Sequence, residues 1–494
     1  MPIINTSALQ EGVTLPENEQ IYNGLDCCIT HEVLDSIRAL GEAPKIYNFA
    51  RALQAPVLDM MTRGFLIDGY ERQKGIETLT QEIDRLIILL NRFSNAVWDA
   101  PLKANSPKML QDFFFKHMRI PEIWTSKKGE RKLSMDREAL EKLDNYFHAR
   151  PIVSTILAIR DATKQLSVLK TEVDPDGRMR TSYNVAGTET GRFSSSTNAF
   201  GTGTNLQNIT ASLRKMFVAD KGYKICGIDL EQAESREVGW LSGIICNDWS
   251  YLDACYSGDL HTLVAQTAWP SLEWSADPKH NRRVADTPFY RNLTYRDMAK
   301  KLGHGSNYRG LPPTMARHAK IPTATAEHFQ RAYFERFAGI PKWHRWVAGQ
   351  LQTTHSITTP FGRQRTFFGR SNDDTTLREA IAFSPQSATA DRLNLVLWRL
   401  WYYMPEVQLL AQVHDAAYLQ FPEHLDEQEV VAQALSYFDV PMEKDGHKLV
   451  VPGEAKTGWN WGNYHPETNP DGLKKWSKDK KDVRIRTPIL QQKL

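Results

Sequence analysis

Two aspartates of the chain stand where a divalent metal ion could be bound. Asp229 lies at the end of YKICGIDLEQ, which predicts a strand, and Asp415 lies between the two short strands predicted in QLLAQVHDAAYLQF. Hard cations such as Mg²⁺ prefer oxygen ligands and are usually bound by one or two carboxylates together with substrate phosphates. Taken alone, each residue is more readily explained as a capping or turn aspartate. The two positions therefore suggest phosphoryl chemistry only if other residues bind phosphate.

A predicted helix at 294–308 supplies such residues. Arg296, Lys300, His304 and Tyr308 recur every four residues, and because each step drifts by only about 40° they share one slowly rotating face. Arginine can donate two parallel hydrogen bonds to a phosphate, and lysine acts as a point charge. The first half of the helix could therefore bind a triphosphate. The alternative is a basic amphipathic helix on the surface.

The elements around these residues are readable in outline. Residues 46–171 are predicted to be mostly helical, and the segment IETLTQEIDRLIILLNRF carries apolar residues at helical spacing. Ser106 and Pro107 mark the start of a helix, as N-cap and first-turn residues. Residues 187–209 are rich in Gly, Ser, Thr and Asn and predict a loop, in which Arg192 is isolated.

The composition bounds the class of protein. With 494 residues, 41% hydrophobic and 24% charged, the chain has room for roughly three globular domains. A net charge of +3 is too small to indicate a partner. Five cysteines without regular spacing or a CxxC pair argue against a disulfide framework and a structural zinc site. The N-terminus does not resemble a signal peptide, and the longest apolar run, LIILL, is too short to span a membrane. We expect a cytoplasmic protein, in the host cytoplasm if it is viral.

Four segments, in order along the chain, carry a family resemblance. TGRFSS with NLQNI, DLEQAESR, RDMAKKLGHGSNYRG and QVHDA resemble the signature motifs of family A DNA polymerases, the DNA polymerase I-like group. Supporting segments APVLDMMTRGFLID, TPFGRQRTFFGR, REAIAFSPQSATAD and GWNWG extend the resemblance over nearly the whole chain. Each motif alone is weak, but all of them in the family's order give a strong signal. The resemblance implies an α+β right-hand fold, with a small antiparallel sheet in the palm and largely helical thumb and fingers.

The resemblance also implies a division of the chain. The expected parts are a truncated exonuclease-like remnant (1–48), a thumb (49–170), the first part of the palm (171–240), the fingers (241–372), the second part of the palm (373–470) and a basic tail (471–494). The tail could add phosphate contacts or recruit a partner, or it could simply be solvated.

The expected N-terminal remnant carries one further pattern. YNGLDCCITHEVL, with Tyr22 and Asp26, resembles the third motif of the family's 3′-5′ exonuclease. No DxE-type partner precedes it, and a lone aspartate cannot bind two metal ions. We therefore predict no proofreading by this chain alone. Coincidence, a truncated remnant, and one piece of a domain divided between two polypeptides all remain open.

The family's functional positions map onto residues of this chain. Asp229 and Asp415 match the two metal-binding aspartates of the palm, which implies two Mg²⁺ ions, with Mn²⁺ able to substitute. Together with Lys300 they are the expected catalytic residues. The expected nucleotide-binding residues are Gln232, Glu234, His261, Arg296, Lys300, His304 and Tyr308. A structural histidine is the alternative for His261.

Sugar choice follows from one of these positions. Glu234 matches an acid that packs under the deoxyribose in the family, often held by the tyrosine that Tyr308 matches. A carboxylate there leaves no room and no free hydrogen-bond partner for a 2′-hydroxyl. We therefore expect a dNTP substrate.

Contacts to primer and template should be independent of sequence, because a polymerase must copy any sequence. Asparagine and glutamine can donate to the minor-groove acceptors that the bases share. The residues that match such contacts are Arg192, Asn205, Gln207, Arg214, Arg378, Gln386 and His414. Solvated polar residues of loops are the alternative.

Four positions depart from the family's pattern. His304 stands where Phe or Tyr is usual, Ala382 replaces a common Asn, Arg309 replaces a Gly, and Ala416 replaces the Glu that usually follows His-Asp. These changes bear on rate, fidelity and base preference more than on the type of reaction.

The expectation is a template-directed DNA polymerase of a phage-like replication system. Its expected partners are primer–template DNA and dNTPs, with a separate exonuclease or processivity protein possible and no membrane. Two alternatives stay open. One is a catalytically weak or inert DNA-binding homologue, which the absent side chains at Ala416 and Ala382 favour. The other is a single-subunit RNA polymerase, against which Glu234 argues.

Overall fold

The computed structural model describes residues 15–39, 44–127, 130–198, 201–290 and 293–478. The helices are α1 (Leu15–Ala39), α2 (Pro44–Ala52), α3 (Gln54–Arg63), α4 (Gly69–Asn95), α5 (Pro107–Gln111), α6 (Arg137–Leu143), α7 (Arg150–Leu169), α8 (Ala233–Cys246), α9 (Ser250–Tyr256), α10 (Leu260–Ala268), α11 (Pro278–Ala285), α12 (Tyr295–Asn307), α13 (Pro312–Ala319), α14 (Thr323–Arg336), α15 (Gly339–Thr353), α16 (Asp374–Tyr403) and α17 (Glu427–Phe438). A π-helical turn covers Asp112–His117, and 3-10 helices cover Leu206–Asn208 and Ala211–Met216.

The strands are short and antiparallel. They are β1 (Phe65–Ile67), β2 (Trp124–Lys127), β3 (Glu130–Leu133), β4 (Arg178–Met179), β5 (Ser182–Asn184), β6 (Ser194–Ser196), β7 (Phe217–Val218), β8 (Tyr223–Leu230), β9 (Pro288–Tyr290), β10 (Leu293–Thr294), β11 (Ser356–Thr358), β12 (Gln364–Thr366), β13 (Gln408–Val413), β14 (Ala416–Pro422), β15 (Met442–Lys444), β16 (His447–Leu449), β17 (Gly453–Gly458) and β18 (Lys474–Lys475). The mixture of helices with small antiparallel sheets confirms the predicted α+β class.

The largest sheet, here called the central sheet, has the order β13-β14-β8-β17-β18. In β8 the alternation of side chains places Cys226 and Ile228 in the main core and Ile225 in a second core on the other face. Asp229 follows the same alternation and lies on the face of Ile225, at the end of the strand. The strand predicted to end at an acid is therefore confirmed.

Aromatic packing fixes the second core against the central sheet. Trp461 stacks on Phe65 with ring centroids 5.3 Å apart and meets Phe217 edge-on at the same distance. Such pairs add about 0.5–1.5 kcal/mol each beyond the burial of their surface. They fasten the segment after β17 to β1 and β7 of the three-stranded sheet β4-β1-β7. Trp461 also meets Tyr418 of β14 edge-on at 5.1 Å, which joins this core to the central sheet.

A separate helical layer precedes the central sheet. The start of α4 lies beside the end of α7, where the Arg72 Nε donates to the Leu169 carbonyl over 2.7 Å. Ser106 caps α5 by accepting a hydrogen bond from the Met109 amide at 3.4 Å, as predicted. The prediction that 46–171 is mostly helical is confirmed, and the strands within this range are β1 and the β2–β3 hairpin. That hairpin is largely polar and has no apolar period that sequence could reveal.

The loop predicted at 187–209 needs correction. Ser194–Ser196 forms β6 and pairs with β5, and Leu206–Asn208 forms a 3-10 turn. Serine-rich strands on a polar hairpin lack the hydrophobic alternation by which strands are recognised.

Both ends of the chain extend beyond the described residues. Residues 1–14 of the expected remnant and 479–494 of the expected basic tail lie outside them. The part of the tail that is described begins in the central sheet, because Lys474 and Lys475 form β18 against β17. Within the described ranges, no helix is both long and apolar enough to cross a membrane.

Candidate active site

Asp229 and Asp415 meet at one end of the central sheet. Ala416, the first residue of β14, is the register partner of Asp229 on β8, so the preceding residue Asp415 lies beside that strand end. The Asp415 carbonyl accepts a hydrogen bond from the Leu230 amide at 3.1 Å. His414 turns the hairpin in the left-handed region, with φ of 54°. Strand register therefore brings together two acids that are far apart in sequence.

The surroundings of both carboxylates disfavour their charge. Burial raises the pKa of Asp229, and the Glu454 carboxylate adds to the rise while Lys456 opposes it. Burial also raises the pKa of Asp415 to about 6, opposed by Arg192 and reinforced by Glu234 and Asp229. Buried carboxylates that repel one another are stabilised by a bound cation.

The donor set at this sheet end fits a hard divalent cation. The two aspartates offer only oxygen ligands, as Mg²⁺ prefers. Across the described residues, no group of three or more His, Cys, Asp and Glu side chains is arranged to bind a metal ion. On β17, the other neighbour of β8, Glu454 is the register partner of Asp229. The Glu454 carboxylate is paired with Lys475 over 2.6 Å. Asp229 thus has the methyl group of Ala416 on one side and an already paired acid on the other.

A further acid of the site, Glu234, accepts hydrogen bonds on both carboxylate oxygens. The Tyr308 hydroxyl donates to one carboxylate oxygen of Glu234 and the Arg192 guanidinium donates to the other. Arg192 also lies 3.6 Å from Asp415. Burial, followed by the charge of Glu234, raises the pKa of Tyr308, which keeps its hydroxyl protonated as a donor. Arg192 therefore links the Glu234 carboxylate to the Asp415 carboxylate.

The predicted helix at 294–308 is present as α12. A capping box joins Thr294 and Asp297 at its start, and such caps contribute about 1 kcal/mol. Met298 and Leu302 are buried on one side of the helix, which leaves the basic face toward the cleft. The predicted helix is thus confirmed, and the function of its basic face stays a prediction.

The basic face of α12 opens into two connected spaces. Lys300, His304, His261, Glu234 and Asp415 line an inner cavity of about 320 Å³. The His304 ring meets the Tyr308 ring edge-on, with centroids 5.0 Å apart. Asp415 and the basic helix therefore face one cavity, whereas Asp229 lines a neighbouring space with Asp415, His414 and Lys456.

Arg296 lies in the outer space and is held by an acid. Its Nε and Nη2 donate to the Asp259 carboxylate over 2.8 and 3.0 Å. Although burial opposes the effect, hydrogen bonds from Arg296 and Thr262 hold the pKa of Asp259 well below its usual range. Burial, then the charges of Arg296 and Lys300, lower the pKa of His261 to about 4, so its imidazole is neutral at pH 7.

Gln232 provides a further mark of the site. It has left-handed backbone geometry, with φ of 52°, and it precedes α8. Its side-chain oxygen is buried, and among the described residues it accepts no hydrogen bond. Because buried polar groups are rarely left unpaired, this oxygen marks a place for a ligand.

The comparisons with known proteins decide the family. The model of the family described as DNA polymerase family A matches residues 73–463. The chain belongs to this family. It is 28% identical over 432 residues to the thermostable DNA polymerase I of Thermus aquaticus, an alignment that covers 83% of this chain and 47% of that protein. It is 26% identical over 466 residues to the DNA polymerase I of Treponema pallidum (strain Nichols), covering 90% of this chain and 43% of that protein.

The chain thus spans about half the length of these relatives. A solved structure described as the POL domain of Pol1 from M. smegmatis, in complex with DNA primer-template and dNTP, matches with a TM-score of 0.66 at 26% identity. That match covers 83% of this chain and 69% of the other. The expected right-hand polymerase fold of family A is confirmed.

Several of the residues expected to contact DNA lie near the two aspartates of this family A chain. Arg214 lies over the Trp461 ring at 4.7 Å and lines one space with Asp229 and His414. Gln207 donates to the Gln412 side chain over 2.7 Å, close before the Asp415 turn. These contacts bring three of the expected residues to the end of the central sheet.

The remaining expected DNA contacts have other partners. The Asn205 side chain accepts from Ser195 and from the Gln207 amide, so it fixes its own loop. Arg378 and Gln386 are residues of α16, and Arg378 pairs with Asp374 over 3.0 Å. The unusual Arg309 of this family A chain adopts φ of 57° and pairs with the same Asp374.

Sequence reasoning missed several residues of the site. Asp259 is the N-cap of α10, a role that GDLHT could have indicated, but its hold on Arg296 has no local signal. Arg282, which also donates to Asp259 over 2.9 Å, carried no signal at all. Glu454 and Lys456 on β17 were missed because only strand register places Glu454 beside Asp229 and Lys456 beside Gly227.

Proposed function

We propose that this family A chain is a template-directed DNA polymerase that adds dNTPs to a primer 3′-hydroxyl and releases pyrophosphate. One observation carries the proposal. Asp415 of the central sheet, Lys300 and His304 of α12, and Glu234 of α8 line a single cavity. It offers an oxygen-ligand end, a phosphate-binding side and a sugar-binding side in one space, as nucleotidyl transfer requires.

Asp229 and Asp415 are the residues that would bind the divalent ions, with Mg²⁺ as the expected metal and Mn²⁺ as a substitute. Bound there, the metal would activate the primer oxygen and neutralise charge on the phosphates. The all-oxygen donor set and the raised pKa of both carboxylates support this assignment.

The basic groups of the cleft orient the nucleotide. Arg296 would bind the phosphates with its forked guanidinium and Lys300 with its ammonium group. Neutral His261 can donate one N–H to a phosphate oxygen without adding a positive charge. Preorganised donors of this kind stabilise the charge that develops on the transferring phosphate.

Glu234 selects the sugar in this proposal. Its two carboxylate oxygens already accept from Tyr308 and Arg192, so a 2′-hydroxyl would compete for occupied positions. A site whose polar groups are already paired disfavours a substrate that brings an additional unpaired hydroxyl. The favoured substrate is therefore a dNTP.

The proposed path of DNA crosses the loop with Asn205 and Gln207 and the end of the central sheet with Arg214 and His414. The proposal keeps the division into thumb, palm and fingers at the boundaries expected from the sequence. The M. smegmatis POL domain was solved with DNA primer-template and dNTP, which supports these partners for a chain of the same fold. Binding to duplex DNA should weaken as salt rises, because phosphate contacts release counterions.

Absence of proofreading belongs to the proposal as well. Asp26 lies on α1, and a lone aspartate cannot bind two metal ions. The phage-like role, the cytoplasmic location, and any separate exonuclease or processivity partner stay predictions.

Primer extension tests the function directly. The purified chain is given a primed template with Mg²⁺ or Mn²⁺ and either dNTPs or rNTPs. We expect extension with dNTPs and a loss of at least about a hundredfold in Asp229→Asn. Asp445→Asn, in the exposed β15–β16 turn, is the matched control and should retain full activity. No extension with either metal would favour an inert homologue, and extension with rNTPs alone would favour an RNA polymerase.

A further inference from the structure

Arg282 lies beside the outer end of the triphosphate cleft. It belongs to α11, and its Nη1 donates to the Asp259 carboxylate over 2.9 Å. The same carboxylate accepts three hydrogen bonds from Arg296 of α12. A second acid, Asp286, accepts from the Arg282 Nε at 2.6 Å. Two arginines from different helices thus converge on one acid.

The location of Arg282 is specific. An outer space of about 490 Å³ is lined by Gln232, His261, Arg282, Arg296, Lys300 and Lys475, with acids between them. Lys300, His261 and Gln232 also line the inner cavity, which contains Glu234 and Asp415. Arg282 lines the outer space and is absent from the lining of the inner cavity. It therefore lies on the side of Lys300 that faces away from Glu234 and Asp415.

This position matches the far end of a nucleotide. The α-phosphate must lie near Asp229 and Asp415 if the primer is to attack it, so the β- and γ-phosphates extend outward past Lys300. A guanidinium at that end can bind two phosphate oxygens in parallel. The Arg282 side chain is 48% exposed, so it can turn from Asp259 toward a ligand.

Asp259 explains how the cations are kept in place. Without a nucleotide, the cationic groups of Arg282, Arg296 and Lys300 would repel one another. The Asp259 carboxylate, shared by the two arginines, offsets that repulsion. Phosphate oxygens carry more charge than one carboxylate and can replace it as acceptors. The acid thus keeps both guanidinium groups directed at the cleft before the nucleotide arrives.

We propose that Arg282 is a further binding residue for the β- and γ-phosphates of the incoming nucleotide, prepositioned with Arg296 by Asp259. The nature of the nucleotide rests on the function proposed above. The binding of a polyphosphate at this place does not.

Steady-state primer extension with varied dNTP tests the proposal. In Arg282→Ala the KM for dNTP should rise about tenfold, the usual effect of losing one charged hydrogen bond. Because this contact is equal in the ground state and the transition state, kcat should change by less than about twofold. Arg282→Lys keeps the positive charge but loses the two parallel donors of the guanidinium, so its KM should lie between those of the wild type and Arg282→Ala.

Arg283→Ala is the matched control. Arg283 is the neighbouring exposed residue of α11, and it does not line the outer space. If Arg283→Ala raises the KM as much as Arg282→Ala, a general loss of positive charge is responsible and the proposal is overturned. An unchanged KM in Arg282→Ala would also overturn it.

Titration calorimetry with inorganic tripolyphosphate separates this inference from the proposed polymerase function. We expect the Kd to weaken about tenfold in Arg282→Ala and to stay unchanged in Arg283→Ala. This result would stand even if the wild-type chain failed to extend primers. Equal Kd values for wild type and Arg282→Ala would exclude Arg282 as a phosphate ligand, and thermal unfolding of each variant confirms that it is folded.

Discussion

The Tyr308 hydroxyl donates a hydrogen bond to the Glu234 carboxylate, which joins the end of α12 to the start of α8. Arg192 donates to the other oxygen of the same carboxylate. The acid is thereby fixed between the helix that would bind the triphosphate and the strand end that carries Asp229. The position of Glu234 is set by two partners that sequence spacing does not connect.

Replacing this acid should relax the choice of sugar. In Glu234→Ala we expect the ratio of ribonucleotide to deoxyribonucleotide incorporation, measured as kcat/KM, to rise at least about tenfold. The reason is that this substitution removes the carboxylate that we propose blocks the position of a 2′-hydroxyl. Tyr308→Phe should give a smaller rise, because the carboxylate keeps Arg192. Glu138→Ala, which removes an exposed acid paired with Arg317, is the control. Equal use of both sugars by the wild type would contradict this prediction.

Restoring an acid next to the metal site should have little effect. Ala416 is the register partner of Asp229, so the side chain of Ala416→Glu would lie directly beside that carboxylate. If two carboxylates suffice, the extension rate should change less than about threefold. Ala416→Gln controls for size without charge. A large gain in Ala416→Glu alone would show that the site is impaired as it stands.

The purified chain should not shorten primers. Asp26 of the exonuclease-like pattern lies on α1, whose side chains are largely exposed. One aspartate is too few to bind the metal pair that phosphodiester hydrolysis uses. Incubation of a labelled primer–template with Mg²⁺ and no dNTPs should leave the primer intact, with the same result for Asp26→Asn. Shortening that disappears in Asp26→Asn would refute the prediction.

The depressed pKa of His261 has a consequence for stability. The folded-state pKa of about 4 lies below the ordinary value of 6.5, so the unfolded chain binds more protons between these values. The stability that depends on neutral His261 is therefore fully present above pH 6.5 and is lost as pH falls toward 4. The difference in unfolding free energy should not exceed about 3 kcal/mol. Denaturant unfolding should show that the unfolding free energy changes less steeply with pH in His261→Gln than in the wild type across this range. NMR titration of His261 should give a midpoint well below pH 6.5.

A buried ion pair behind the site should dominate local stability. Arg392 of α16 donates to Glu237 of α8 over 2.5 Å, and both side chains are at most 1% exposed. Removing one partner leaves a buried charge, so Glu237→Ala should lower the unfolding free energy by about 3–5 kcal/mol. Asp161→Ala, which removes an exposed partner of Arg137, should cost less than about 1 kcal/mol. Similar losses in the two variants by denaturant unfolding would contradict the expectation.

Several features could be predicted from sequence because their signals are local. Asp229 at a strand end, Asp415 in a hairpin turn, Ser106 as an N-cap, and the repeat of four on α12 each depend on neighbouring residues along the chain. Side-chain alternation and helical period are properties of short segments, so composition and spacing reveal them. The polar hairpins were missed because they lack such a period.

The sequence by itself determined which chemical groups are present and on which kind of element each lies. Only the tertiary structure decided which of them meet. The register of β14 on β8 placed Ala416 beside Asp229, and helix packing brought Arg282 and Arg296 to Asp259. Such distances depend on how whole strands and helices are aligned. No residue pattern within one segment reports that alignment, because it is fixed by contacts with segments far away in the chain.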